Sequence, residues 1–183
     1  MYCNENIKLV PFTKEYLEKY HSWRNDMDIM QFDQPGFLYP ISYDEAASWH
    51  EKINSYNNSH SFIIKDKKSD EAIGICAFMN MDYKNRNVEL SIVLGEKKFW
   101  GKGYGKQVMD LMIKLGFEEF NMHKLILRVM SFNDRAIRLY EKLGFEKEGT
   151  LKETIYRNGK YFDTIYFGLL KNNERLNKIS LEN

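Results

Sequence analysis

Hydrophobic and polar residues alternate over residues 88–94, where every second side chain is apolar. A period of two predicts a strand with one buried face. From residue 106 to about 120 the apolar residues recur every three or four positions, which predicts an amphipathic helix. Residues 95–105, between the two patterns, are rich in glycine and lysine. The sequence therefore predicts a strand, a basic glycine turn and a helix, and we expect the fold to be organised around this unit.

The same patterns divide the rest of the chain into alternating strands and helices, separated by turn residues. Further strands are predicted at 7–12, 61–65, 72–81, 124–129, 145–155 and 161–170, and further helices at 13–24, 42–56 and 133–144. Thr13 is expected to cap the first of these helices, and residues 25–40 are expected to be irregular. This order predicts an α/β (α+β) fold, with a mixed central sheet of about seven strands and helices on both faces.

Length, composition and charge limit which kinds of protein this chain can be. The chain has 183 residues and is 43% hydrophobic, which fits one domain over residues 1–171 followed by a polar tail at 172–183. A formal net charge of +1 gives no reason to expect nucleic acid or an anionic membrane as a partner. The sequence has no signal peptide, no apolar run long enough to span a bilayer and no disulfide framework, so we expect a cytoplasmic protein. The histidines lack metal-ligand spacing, and no metal is expected.

The glycine turn has the features of a phosphate site. Gly101, Gly103 and Gly105 precede the helix, whose first turn presents unpaired N–H groups and the positive end of its dipole. A P-loop is excluded because position 100 is Trp and Gln107 follows the Gly-Lys pair. The dinucleotide pattern Gly-x-Gly-x-x-Gly also fails from either possible starting glycine.

Two motifs resemble the GNAT superfamily of acetyl-CoA-dependent N-acetyltransferases. The x-x-Gly-x-Gly turn resembles the acetyl-CoA pyrophosphate loop, and its Trp-Gly-Lys-Gly-Tyr form is similar to the branch of ribosomal-protein N-terminal and spermidine acetyltransferases. Trp100 stands where Arg or Gln is commonest in that loop. Residues 133–145 resemble the second hallmark, Asn-x-x-Ala-x-x-x-Tyr-x-x-x-Gly-Phe. The resemblance is strong over residues 86–147 and fair as far as residue 170.

The resemblance implies a GNAT fold whose cleft lies between the strand at 87–94 and the strand at 124–130. Acetyl-CoA is the implied cosubstrate, and no metal is implied. The residues expected to bind acetyl-CoA lie on the strand end, the glycine turn and the next helix start. They are Ile92, Val93, Leu94, Lys98, Trp100, Gly101, Lys102, Gly103, Tyr104, Gly105, Lys106, Asn133, Arg135 and Ala136. By resemblance, an amide near Val93 is the oxyanion donor.

Two side chains are the catalytic candidates. Amide formation requires a group that takes a proton from the attacking amine and a group that protonates the leaving thiolate. Glu89 matches the catalytic glutamate of some GNAT enzymes and would act directly or through water, or would only orient the substrate. Tyr140 matches the tyrosine that approaches the CoA sulfur in the family, and would act as the acid or would only pack on the cofactor.

The acceptor is a small-molecule amine or a peptide amine by resemblance, and a polyamine such as spermidine is favoured. Acidic residues outnumber basic ones over residues 15–51, and an acidic entrance would attract a polycation. N-terminal acetylation of a ribosomal protein, and acetylation of an aminosugar or another small amine, are the alternatives within the enzyme class. A non-catalytic acyl-CoA-binding module is the alternative of another class. The C-terminal hairpin could pair with a second chain, giving a homo-oligomer.

Overall fold

The computed structural model of the protein describes residues 2–33, 35–55 and 58–172. Within these residues a single mixed sheet of eight strands runs through the molecule, in the order β1-β2-β3-β4-β5-β6-β8-β7. The strands are β1 (Tyr2–Cys3), β2 (Ile7–Pro11), β3 (His60–Asp66), β4 (Ala72–Asp82), β5 (Asn87–Leu94), β6 (Lys124–Met130), β7 (Glu146–Arg157) and β8 (Lys160–Leu170). The seven predicted strands are all present, and the short β1 is the one that the patterns missed. The tail predicted from residue 172 lies almost wholly outside the described residues and stays a prediction.

Five helices flank the sheet in the described part of the chain. They are α1 (Leu17–Arg24), α2 (Met27–Met30), α3 (Tyr43–Ser55), α4 (Tyr104–Lys114) and α5 (Asp134–Lys142). A single turn of 3-10 helix precedes α1, and a π-helical turn extends α4 as far as Glu119. The short α2 interrupts the stretch predicted to be irregular, because the Asp26 carboxylate accepts from the Asp28 N–H at 3.0 Å and caps it.

The helix caps and the hairpin turn can be compared with what the local sequence predicts. The prediction that Thr13 caps the first helix is wrong, because its hydroxyl donates to the Glu15 carboxylate at 2.9 Å. Ser42 and Glu45 form a capping box at the start of the helix predicted at 42–56: the Ser42 N–H donates to the Glu45 carboxylate at 2.8 Å, and the Glu45 N–H donates to the Ser42 hydroxyl at 3.2 Å. The hairpin between β7 and β8 turns at residues 158–159, whose positive φ angles of 51° and 78° suit an Asn-Gly turn.

The two faces of the sheet carry separate hydrophobic clusters. On β5 the side chains of Val88 and Leu90 are buried together with the apolar faces of α4 and α5. Val93, which points the other way, packs with the cluster formed by α1, α2 and α3. Because side chains alternate along a strand, Glu89 shares the face of Val93. Catalytic candidates on β5 and α5 therefore approach the sheet from opposite sides.

The sheet opens between its two parallel strands. β5 and β6 pair over three residues only, from Asn87 to Glu89 on β5 and from Lys124 to Ile126 on β6. β5 keeps its antiparallel pairing with β4 as far as Leu94, so its other edge has no strand partner beyond Glu89. Backbone groups of residues 90–94 that face β6 consequently open into a gap. The predicted cleft between the strands at 87–94 and 124–130 is confirmed.

Gly95, at the end of β5, allows Trp23 to pack against the chain. A Cβ at this position would lie 2.2 Å from the Trp23 ring, which is buried and donates to Glu96. We expect Gly95→Ala to lower the free energy of unfolding by about 2 kcal/mol through overpacking, and Tm by about 4–8 °C. Gly149→Ala is the control, because a Cβ there meets no atom within 4 Å, and we expect it to stay within about 0.5 kcal/mol. Equal Tm values for the two variants in a thermal melt would contradict the packing argument.

Candidate active site

A cleft of about 910 Å³ occupies the gap between β5 and β6. One wall is β5 from Glu89 to Leu94 together with the glycine turn, and the opposite wall is the end of β6 with the start of α5. The segment around α2 closes one side through Ile29, Phe32 and Asp33. The cleft thus brings the two sequence motifs into one site, although about 30 residues of chain separate them.

The glycine turn is shaped to leave backbone exposed to a ligand. Gly101 and Gly103 have φ angles of 73° and 83°, and a Cβ at either position would meet no atom within 4 Å. Gly103 is also the N-cap of α4, and no side chain caps that helix end. The first N–H groups of α4 therefore present an uncapped positive dipole end at the cleft, which suits a phosphate group.

Trp100 anchors the glycine turn through its indole ring. Its Nε1 donates to the Leu94 carbonyl oxygen at 2.8 Å, which ties the turn to the end of β5. The Arg135 guanidinium lies 5.1 Å from the centre of the indole ring, a cation–π distance. The turn and the start of α5 are thereby held together across the cleft, and Arg135 is kept near the uncapped end of α4.

Positive charge at the cleft comes mainly from α5. The basic residues that line it are Lys106, Arg128, Arg135, Arg138 and Lys142. Lys98 and Lys102, both expected at the cofactor, do not line the cleft, and Lys98 is paired with Glu71 at 2.6 Å. The other residues expected to bind acetyl-CoA all line it. Arg138 and Lys142 were missed, although both lie on α5 at helical spacing from Arg135.

Asn133 begins α5 as predicted. Its Oδ1 accepts from the Ala136 N–H at 3.2 Å, and the helix ends before Gly144, whose φ is 88°. We expect Asn133→Ala to lower the free energy of unfolding by about 1 kcal/mol in urea denaturation. Asn133→Asp, which keeps a cap acceptor, should retain most of that stability. Should Ala prove as stable as wild type, Asn133 would not be a structural cap.

Tyr140 lies in the apolar part of the cleft. It is 7% exposed and packs against Phe145 and Phe167, with ring centres 6.0 and 6.2 Å away. Burial, with a smaller contribution from the negative charge of Asp33, raises the pKa of Tyr140 to about 12. The phenol therefore stays protonated at every physiological pH and can donate a hydrogen to a group in the cleft.

Glu89 lies at the point where β5 and β6 part. Its Oε1 accepts from Arg128 Nε, and its Oε2 accepts from Asn80 Nδ2 at 3.3 Å. The carboxylate side chain is 15% exposed and lines the cleft. Neither partner was predicted, since Arg128 comes from β6 and Asn80 from a β-bulge in β4, far apart in sequence.

The acidic segment at 15–51 contributes less to the cleft than its composition suggests. Asp26 and Asp28 pair with Lys97 at 2.9 and 2.5 Å, and the Glu45 carboxylate belongs to the capping box. Asp33 alone of the acidic residues in this segment lines the cleft, and Arg24 lies 3.6 Å from it. Burial raises the pKa of the Asp33 carboxyl group, against the attraction of Arg24.

Among the residues that the structure describes, no group of three or more His, Cys, Asp or Glu side chains has an arrangement that could hold a metal ion. None of the helices in the same residues is both long enough and apolar enough to cross a membrane.

Comparisons with known proteins give the class of the protein. The family model described as an acetyltransferase (GNAT) domain matches residues 6–146. The chain belongs to the GNAT family of acetyltransferases, and the resemblance found in the two motifs is confirmed, as is the GNAT fold.

Similar proteins include polyamine enzymes. The spermidine N(1)-acetyltransferase of Vibrio cholerae is 29% identical over 162 residues, covering 87% of this chain and 90% of that protein. A putative ribosomal N-acetyltransferase of Bacillus subtilis is 30% identical over 98 residues, covering 54% and 53%. The crystal structure of spermidine N-acetyltransferase from Vibrio cholerae in complex with CoA and spermine has a TM-score of 0.85 and 27% identity, and covers 93% of this chain and 98% of that one.

Proposed function

We propose that this acetyltransferase transfers the acetyl group of acetyl-CoA to a primary amine of a polyamine such as spermidine, by direct attack within a ternary complex. The observation that carries the proposal is the single cleft that joins an uncapped, basic helix end, a protonated Tyr140 and a carboxylate at Glu89. One end of the cleft suits a phosphorylated donor, and the other suits a cationic acceptor.

The cosubstrate fits the cleft chemically. The first N–H groups of α4 and the side chains of Arg135, Arg138 and Lys142 provide donors and positive charge for phosphates. The unpaired edge of β5 over residues 90–94 provides N–H and C=O groups for the amides of the pantetheine arm, and a donor for the thioester oxygen. Asn133 contributes a second polar group on the arm side of the cleft.

The reaction needs two proton movements on opposite sides of the sheet. An alkylammonium has a pKa near about 10, so it must lose a proton before its nitrogen attacks the thioester carbon. Glu89 receives that proton, directly or through water. The C–N bond then forms, the C–S bond breaks, and Tyr140 donates its phenolic hydrogen to the departing sulfur. The second proton lost from the amine nitrogen restores the phenol. The products are the acetylated amine and CoA, and one proton is released.

A polyamine is the favoured acceptor for two reasons. Spermidine N(1)-acetyltransferases of Vibrio cholerae and Escherichia coli each match over 87% of this chain. The acceptor side of the cleft also carries the carboxylates Asp33 and Glu89. The match to a putative ribosomal N-acetyltransferase keeps a protein N-terminus as the second candidate. Both candidates require the same donor chemistry and differ only in what binds beside Glu89.

The test is acetyl-CoA-dependent release of free thiol with a panel of amines. The panel contains spermidine, spermine, a peptide with a free N-terminus, an aminosugar and free amino acids. We expect saturable turnover with spermidine and spermine at the highest kcat/KM. Turnover with the peptide alone would move the function to protein N-termini. Acetyl-CoA binding without turnover of any amine would instead support a non-catalytic acyl-CoA-binding module.

A further inference from the structure

A second, smaller cavity adjoins the cleft at Glu89 and Arg128. It has a volume of about 250 Å³ and is lined by Asn80, Asn87, Glu89, Ile126, Arg128 and Tyr166. Glu89 and Arg128 also line the main cleft, so their ion pair separates the two spaces. The cavity lies on the side of the sheet that the α4–α5 core leaves uncovered, since Leu125 and Phe167 beside it point into that core.

Arg128 is the more exposed member of its ion pair with Glu89. Its side chain is 48% exposed, whereas that of Glu89 is 15% exposed, so the carboxylate is the fixed member of the pair. Asn80, held at a positive φ of 52° by the bulge in β4, donates to the second carboxylate oxygen. Tyr166, directly across from Arg128 on β8, already interacts with the guanidinium group, and the carboxamides of Asn80 and Asn87 line the same smaller cavity.

We propose that Arg128 competes with the acceptor's ammonium group for Glu89 and so determines the affinity for cationic acceptors. This inference rests on the proposed function. In the free enzyme Arg128 neutralises the carboxylate, and the arriving ammonium takes its place while the arginine moves into the smaller cavity. Two cations beside one partly buried carboxylate repel each other, and every additional ammonium on the acceptor adds to that repulsion. Arg128 therefore disfavours polyamines more strongly than monoamines.

The experiment measures KM and kcat of Arg128→Gln with spermine, spermidine and a monoamine such as propylamine. Gln keeps a hydrogen-bond donor toward Glu89 and removes only the charge. We expect the spermidine KM to fall by about fivefold, the spermine KM to fall further and the monoamine KM to change least. The KM for acetyl-CoA should stay within about twofold of wild type, because the change is confined to the acceptor side of the cleft. Arg128→Lys, which keeps a charge, should remain close to wild type.

Lys114→Gln is the matched control, because it removes the same charge from an exposed helix end outside the cleft. If it lowered the acceptor KM equally, net charge and not competition for Glu89 would be the cause. A lower kcat with an unchanged or higher acceptor KM in Arg128→Gln would overturn the proposal and make Arg128 a support for Glu89. If the wild-type enzyme acetylated other amines but no polyamine, the polyamine function would be refuted. The same KM comparison would then be made with those amines. If no amine is turned over, calorimetric titration of spermidine into CoA-saturated protein decides between tighter and unchanged binding to Arg128→Gln.

Discussion

Tyr140→Phe is expected to lower kcat by about 100-fold, while the affinity for acetyl-CoA changes by less than about twofold. The variant keeps the ring that packs on Phe145 and Phe167 and removes only the hydroxyl group. The departing thiolate then loses the phenol of Tyr140 as its proposed proton donor. Steady-state thiol release gives kcat, and a binding titration with CoA gives the affinity.

The proposed role of Tyr140 also has an expected pH dependence. Because burial raises the pKa of Tyr140 to about 12, the phenol remains protonated as pH rises, and its deprotonation gives the wild-type enzyme no basic limb below about pH 11. Tyr2→Phe, which removes an exposed phenol from the far edge of the sheet, is the control and should keep the wild-type rate. A wild-type kcat for Tyr140→Phe would reduce Tyr140 to a packing residue.

Glu89→Gln is expected to lower kcat/KM for the acceptor by about 100-fold. Gln preserves the size of the side chain, but it cannot accept a proton or attract an ammonium group. The acetyl-CoA KM should be unaffected, because Glu89 lies on the face of β5 opposite the α4–α5 core. Measurement of both KM values at fixed pH separates a loss at the acceptor from a general defect of the cleft.

Two results would remove Glu89 from the reaction. One is wild-type kcat/KM in the Gln variant, and the other is an equal loss in Glu118→Gln, which alters an exposed carboxylate at the end of the π-helical turn. A drop in thermal stability alone, with kcat/KM unchanged, would assign Glu89 to the ion pair with Arg128 only.

The strand, turn and helix at the centre of the fold follow from local sequence. The alternation over residues 88–94, the glycines of the turn and the cap at Asn133 are dictated by nearest-neighbour geometry, which a one-dimensional pattern contains. For the same reason the Asn-Gly hairpin and the capping box were predictable. Thr13 shows the limit of such signals, since a residue type that often caps helices instead bonds its neighbour Glu15.

The partners of charged side chains were not predictable, because they come from distant parts of the chain. The sequence predicts that Lys98 binds phosphate, because it lies near the glycine turn. In the structure, Lys98 instead pairs with Glu71, which the turn before β4 brings close to it. The sequence gives no sign that the Glu89 carboxylate has a charged partner. In the structure, β6 places Arg128 beside it. The position of Asp33 in the cleft depends on α2, a helix too short to leave a periodic pattern. Tertiary contacts decided the first two cases, and a helix of four residues decided the third.

The three-residue pairing of β5 with β6 also has a thermodynamic consequence. Where β5 and β6 are not paired, backbone groups bind water instead of a neighbouring strand. The folded state therefore lacks the hydrogen bonds that a continuous sheet would have at this place. A cosubstrate whose amides bond to that edge acts as a substitute for the absent strand. Its binding energy is then added to folding stability by mass action, at about 2.7 kcal/mol when its concentration is 100 times Kd. Under the proposed function, the unpaired edge of β5 would therefore be most fully hydrogen-bonded when the cosubstrate is bound.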